Sequence, residues 1–325
     1  MKHLLACAIA AAAIVQATPA PAAYPEKPIT LIVPYSPGGA SDQAARALAA
    51  ATAAKLGPNQ IIVVNKDGAG GIIGATEVYK AKPDGYTLLL ARVGTHTTVP
   101  ALREVPYDPL NWAILGMLET NPMTCATGKD QPYKTYQDLI AAVKAKPETL
   151  TYSSAGPGTI LHMASVMLLE KAKLGDPQKV ATHIPYKGGG PAALAAVKGE
   201  VDWVCQSYNE MSAHVKSGAL RALIVLGNEK LPDFPDVPTS KDLGIEGMEI
   251  AIGWSGLLGP PNMDAAAQKF WVDLLGEVKN DKNWQDGVKR LGSIPSIWSP
   301  ADTLAFMKTA LDKMKQIATS LGIKL

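Results

Sequence analysis

The sequence predicts an α/β protein of two lobes. Three observations lead there. Short apolar runs alternate with helix-length segments over most of the chain. Several runs are continuously apolar, as strands buried on both faces of a mainly parallel sheet are. The alternation breaks at Val105-Pro-Tyr-Asp-Pro109 and at Leu231-Pro-Asp-Phe-Pro-Asp-Val-Pro238, where closely spaced prolines forbid a helix interior.

Strands are expected at Ile29–Val33, Ile61–Asn65, Thr87–Ala91, Leu150–Ser154, Ala181–Tyr186, Val201–Gln206 and Leu220–Leu226. Helices are expected between them, at Asp42–Leu56, Ile72–Lys82, Thr135–Lys146, Ile160–Lys173 and Pro191–Lys198. An extended stretch, Met248–Leu258, leads into closing helices at Ala265–Val278, Lys282–Leu291 and Ala301–Leu321. The economical division makes residues 23–119 and 228–325 one discontinuous lobe and residues 120–227 the other. Two crossover strands then join two mainly parallel sheets, with hinges at Leu115–Cys125 and at Leu223–Asn228 or slightly beyond.

Residues 1–22 have the layout of a cleaved signal peptide. Lys2 and His3 open it, Leu4–Val15 is apolar, and Ala20 and Ala22 take the two small positions before the cut. The apolar run is shorter than the roughly 20 residues a bilayer span needs. Export is therefore expected, and about 300 of the 325 residues remain, enough for two cores. Losing Lys2 leaves 30 basic against 29 acidic residues, well interspersed. No nucleic-acid surface is expected from that, and any anion selectivity must be local. Of three cysteines, Cys125 and Cys205 survive processing. In an oxidising compartment they form a disulfide, or else they are two small buried hydrophobes. No Cys or His cluster has metal-ligand spacing, so no metal is expected. Gly68-Ala-Gly-Gly-Ile-Ile-Gly74 lacks both the spacing and the downstream acid of a dinucleotide turn, so neither is a nucleotide cofactor.

Three loops share one build. Pro34-Tyr-Ser-Pro-Gly-Gly-Ala-Ser-Asp42, Ser154-Ala-Gly-Pro-Gly-Thr159 and Tyr186-Lys-Gly-Gly-Gly-Pro191 each follow a strand, turn on glycines and open a helix. Such a turn exposes backbone N–H groups that suit a small anion. Gly38 and Gly39 permit the first turn, while Ser41 or Asp42 caps the helix. Asp42 repels an anion and is expected to organise the loop. Thr159 is the natural cap of the second helix, and His162 inside it is either a structural hydrogen-bonder or a contact. Lys187 beside Tyr186 and Gly188 is either a carboxylate partner or merely solvated.

With these motifs the chain resembles the tripartite tricarboxylate transporter solute-binding proteins, the Bug receptors. The resemblance starts at Tyr24-Pro-Glu-Lys-Pro-Ile-Thr-Leu-Ile-Val-Pro-Tyr-Ser-Pro-Gly-Gly-Ala-Ser-Asp42. It continues through Gly68-Ala-Gly-Gly71, Pro83-Asp-Gly-Tyr86, Gly94-Thr-His96, Tyr107-Asp-Pro109, Tyr152-Ser-Ser-Ala-Gly156, Ile184-Pro-Tyr-Lys-Gly188, Gly199-Glu-Val-Asp202 and Pro235-Asp-Val-Pro-Thr239. It implies a bilobed periplasmic-binding-protein fold of the second topological type. It also implies delivery of a small carboxylate through the periplasm to membrane permease subunits, and a monomer is expected. Tyr35, Tyr186 and Trp254 could equally flank an aliphatic dicarboxylate, an aromatic acid or a small amide, while Arg92 with Lys187 leans toward a dicarboxylate.

The same resemblance implies ligand contact by Tyr35, Ser36, Gly38 and Gly39, with Ser41 and Asp42 shaping that loop. It extends to Thr95, His96, Ser154, Gly156 and Thr159, with His162 behind them, and to Tyr186, Lys187 and Gly188. Arg92 stands where the family has small residues, and Gln206 where relatives often carry an acid, so both are candidate specificity contacts. A sensor presenting its closed form to a kinase ectodomain would use the same chemistry. A hydrolase is not expected: Gly253-Trp-Ser-Gly-Leu257 is not a nucleophile elbow, and Ser154 with His162 lacks an orienting acid.

Overall fold

The structure is a computed structural model that describes residues 24–186, 188–231, 233–320 and 322–323. The expected signal segment and Lys187 lie outside the described residues. Ten strands are defined among them: β1 (Ile29–Val33), β2 (Ile61–Asn65), β3 (Thr87–Arg92), β4 (Ala113–Gly128), β5 (Thr151–Ser154), β6 (Thr182–Pro185), β7 (Trp203–Ser207), β8 (Leu220–Leu226), β9 (Ile252–Gly259) and β10 (Ile294–Trp298). The α-helices are α1 (Ala40–Leu56), α2 (Ile72–Tyr79), α3 (Val99–Leu102), α4 (Tyr136–Ala145), α5 (Ile160–Ala172), α6 (Gly189–Val197), α7 (Tyr208–Lys216), α8 (Ala265–Val278), α9 (Lys282–Arg290) and α10 (Pro300–Ser320).

The strands follow the path β2-β1-β3-β9-β4-β7-β5-β6, with β8 and β10 also paired to β4. The strands of the βαβ units, β1 with β2 and β3, and β5 with β6 and β7, run parallel. Those that join the two halves are antiparallel. β9 pairs with β3 and with residues 113–122 of β4, whereas residues from Met123 onward pair with β7 and β8. The 16 residues of β4 at roughly 3.3 Å each span about 50 Å, enough to serve both halves. Pro122 sits at the changeover, opposite Ile252, where a residue without an N–H costs the ladder least.

The return crossing differs from the expected hinge at Leu223–Asn228. Leu223–Leu226 lie inside β8. The chain then folds back: Val225 N–H donates to the Pro238 carbonyl and Ser240 N–H to the Val225 carbonyl. It regains the first half only at Ile252. The physical reason is side-chain support, since Ser240 Oγ bridges the Gly227 backbone on both sides at 2.9 Å.

One core runs through both halves, from Ile32 and Leu89 to Tyr152 and Trp203, and each half adds packing of its own. Ala44, Ala45 and Leu48 on α1 pack with Ile29, Leu31 and Val33 of β1 and with Trp271 of α8, all buried. In the other half, Ala192, Ala195 and Ala196 on α6 pack with Val201 and Val204. Alanine on these helices lets them lie close to the strands. Across β4 and β7, Cys125 faces Cys205 in register, and a disulfide joins them, closing 80 residues of chain. Changing either cysteine to serine is expected to lower unfolding stability by about 2–4 kcal/mol. Urea denaturation under oxidising conditions reads this, and an unchanged midpoint would contradict a stabilising role for the bridge.

Candidate functional site

The two halves face each other over a cleft of about 820 Å³. Its first wall begins where β1 ends. Tyr35, Ser36, Gly39, Ala40 and Ser41 line it, at the N-terminus of α1. No side chain caps this helix. Asp42 is instead turned back onto the loop: it accepts the Gly38 N–H at 2.9 Å and holds the Arg46 guanidinium through bonds of 2.9 and 3.0 Å. The Arg46 pairing, with the Gly38 bond, keeps the Asp42 carboxyl below the usual carboxylate range. Gly38 therefore has no N–H left for a ligand. The N–H groups of Gly39, Ala40 and Ser41 have no acceptor among the described residues, and all three residues line the cleft.

Side chains complete this wall. Ser36 spends its hydroxyl proton on Asp67 at 2.7 Å, which leaves the backbone as the stronger donor. The Tyr35 ring packs over Gly94 and its hydroxyl donates to the Gly70 carbonyl at 3.3 Å. A Cβ at residue 94 would lie 2.2 Å from that hydroxyl oxygen, so only glycine fits. Burial pushes the Tyr35 hydroxyl up to about 12. It stays a neutral donor.

Arg92, at the end of β3, lines the cleft but is tied to the crossing strands. Its Nη1 donates to Glu119 Oε1 at 3.0 Å and to Ser255 Oγ at 2.6 Å, and Ser255 Oγ donates to the same carboxylate at 2.7 Å. Glu119 is buried. Arg103, which the sequence did not single out, lines the cleft too and gives Nη2 to the Ala69 carbonyl at 2.6 Å. Thr95 and His96 do not reach the cleft; both are fully buried. Thr95 Oγ1 bonds the Arg92 carbonyl and His96 Nδ1, and the His96 ring packs among Tyr107, Trp112 and Trp254. Burial pushes His96 down to about 3, so it is neutral.

The second wall comes from the other half. Thr159 Oγ1 accepts the His162 N–H and donates to the Gly156 carbonyl at 2.8 Å, capping α5. Thr159, Ile160 and Leu161 line the cleft, and the N–H groups of Ile160 and Leu161 have no acceptor among the described residues. Two helix N-termini, α1 and α5, thus serve one cleft from opposite halves.

Ser154 and Gly156 lie behind this wall. Ser154 Oγ sits 2.7 Å from His183 Nε2 and 3.1 Å from the Gly156 backbone. His162 does not donate to a loop carbonyl; its Nδ1 accepts the Gly158 N–H at 3.1 Å, and its ring stacks on His183 at 4.1 Å. Tyr186 turns its hydroxyl away to Glu200 at 3.2 Å. Gly188 lines the cleft, and Gln206 is fully buried behind it. Ser207 and Glu210 also line the cleft, from the end of β7 and the first turn of α7. Neither was legible in the sequence, because α7 has only two buried side chains and no apolar stripe to reveal it.

Two α/β halves that share a crossing strand and flank an amide-lined cleft are the architecture of periplasmic solute-binding proteins. Residues 44–323 match the profile of the tripartite tricarboxylate transporter family receptor, TctC, and the chain belongs to that family. BugT of Bordetella pertussis is 30% identical over 305 residues, covering 93% of this chain and 91% of BugT. The structure of the periplasmic binding protein BugD superposes with a TM-score of 0.76 at 30% identity, over 93% of this chain and 99% of that one. MatC from Rhodopseudomonas palustris, solved with bound malate, gives 0.76 at 26% identity over 90% and 99%.

The buried histidines make the fold acid-sensitive. Burial first, and then the neighbouring His183, push His162 down to about 4, and burial lowers His183 and His96 as well. Folded histidines stay neutral while unfolded ones take up protons below about 6.5. Stability from this source is full above that pH and is lost as pH falls toward about 4. Melting temperature is expected to drop steadily across that window. His162→Asn is expected to flatten the drop, and a wild-type melting temperature that stays level from pH 6.5 to 4 would contradict the assignment.

Proposed function

We propose that the protein captures a small carboxylate in the cleft, as a monomer in the periplasm, and delivers it to the permease of a tripartite tricarboxylate transporter. The observation that carries this reading is the set of unpaired N–H groups at Gly39, Ala40 and Ser41 on one wall and Ile160 and Leu161 on the other. A carboxylate has lone pairs for several such donors. The malate bound to MatC is a carboxylate, and the family's name supplies the transporter.

Magnitudes favour using both walls. A helix N-terminus contributes about 0.3–1 kcal/mol toward an anion, and each hydrogen bond to a charged group about 1.5–3. Micromolar affinity needs about 8 kcal/mol net, after roughly 4–15 lost in ordering the partners. One wall falls short. Five donors and two termini from both halves give about 8–17 kcal/mol, which meets the total at the lower end of the ordering cost. The pair of connections near Pro122 and Ile252 gives the halves a place to hinge.

Ala40→Pro tests the site cleanly. Residue 40 is the first helical position, where proline is favoured, and Gly39 already has the extended backbone that precedes proline (φ −75°, ψ 170°). The change removes one N–H and little else. Calorimetric titration with benzoate, malate, succinamate and 4-aminobutanoate is expected to show at least one binding, weakened about tenfold or more in the variant with an unchanged melting temperature. Failure of all four, with equally no response from a wider carboxylate panel, would sink the reading.

A further inference from the structure

The second wall carries an acid with no hydrogen-bond or ion-pair partner among the described residues. Glu210 is half-buried in the first turn of α7 and lines the cleft. Its carboxylate makes no hydrogen bond or ion pair among the described residues. It lies against the first residue of α6: a Cβ on Gly189 would come within 2.0 Å of Glu210 Oε2 and 2.5 Å of Gln206 Nε2. Gln206 is fully buried, and its Oε1 is fixed by the Ser207 N–H at 3.0 Å, so Nε2 is the amide's spare donor beside the acid. Burial raises the Glu210 carboxyl, and Arg92 acts in the opposite sense. The spare amide donor and the N-terminus of α6 both favour the ionised form.

A receptor for anions gains nothing from a bare carboxylate in its cleft unless that group reads the ligand. Resting on the proposed carboxylate-binding function, we infer that Glu210 is a specificity-determining residue: it selects a carboxylate whose far end carries an N–H donor, as ammonium or carboxamide, and rejects a second carboxylate there. The amides of α1 and α5 take the ligand's carboxylate, and Glu210 accepts from the nitrogen. A second carboxylate at that end meets a like charge and leaves Glu210 unpaired, which is discrimination by repulsion as well as by attraction.

Length-matched ligands separate these effects. Calorimetric titrations would compare succinate, succinamate and 4-aminobutanoate, and in an aromatic set terephthalate, 4-carbamoylbenzoate and 4-(aminomethyl)benzoate. The proteins are wild type, Glu210→Gln and Glu210→Ala, each checked for an unchanged melting temperature. In the set that fits the cleft, the wild type is expected to bind a nitrogen-bearing acid at least about tenfold more tightly than the diacid. Both variants are expected to lose most of that preference, largely through tighter diacid binding. The better of the amide and amine arms identifies which nitrogen is read. A diacid bound as tightly as its nitrogen analogues by the wild type overturns the role of Glu210 and leaves carboxylate capture standing, as does a preference that survives both substitutions. Absence of binding by every acid removes both.

Discussion

β4 is the constraint from which the site follows. One strand is hydrogen-bonded into both halves, to β9 and β10 before Pro122 and to β7 and β8 after it. Because both ladders share that strand, the βα loops of the two halves open toward each other, and the N-termini of α1 and α5 line the same cleft. The tie is reinforced at the cleft floor. Arg92 on β3, Glu119 on β4 and Ser255 on β9 share one buried knot of hydrogen bonds. Removing Arg92 or Glu119 would leave an uncompensated charge, and that cost keeps the three strands in one arrangement.

Charge is handled by the same economy throughout. The chain is almost neutral, and its charged groups near the cleft are mostly spent on one another: Asp42 on Arg46, Arg92 on Glu119, Ser36 on Asp67. What is left to meet an anion is backbone amide together with the Arg103 guanidinium, which is bonded to the Ala69 carbonyl and to no acid among the described residues. Glu210 is the one acid among the described lining residues, and that contrast gives it meaning.

The sequence made the scaffold legible to different degrees. β1 and β3 were readable because their continuous apolar runs match buried strands. β2 was readable as an apolar run that is half-exposed, and α1 and α8 as helices that bury one side. α5 was readable as a long apolar run and is buried nearly all round. β10 was not, since Ile294-Pro-Ser-Ile-Trp298 is short and contains a proline. α7 was not, because most of its residues face water or the cleft. The loops gave the right backbone turns but not the side-chain directions. Ser154 points to His183, His96 into an aromatic pack, and Gly38 gives its N–H to Asp42. The first two choices depend on partners far away in the chain, whereas the third is local: Asp42, four residues on, takes the loop's own N–H and the Arg46 guanidinium. Arg103 and Glu210 were missed for the same reason: a lone charged residue has no local pattern until the fold brings it to a wall.

The central claim is that backbone amides from both halves hold one carboxylate together. Proton–nitrogen correlation spectra of the labelled protein, recorded while the ligand is titrated in, test it most directly. The account predicts large downfield shifts at Gly39, Ala40 and Ser41 and, at the same ligand concentrations, at Ile160 and Leu161. Binding that moves only one of these two groups, or neither, would contradict it.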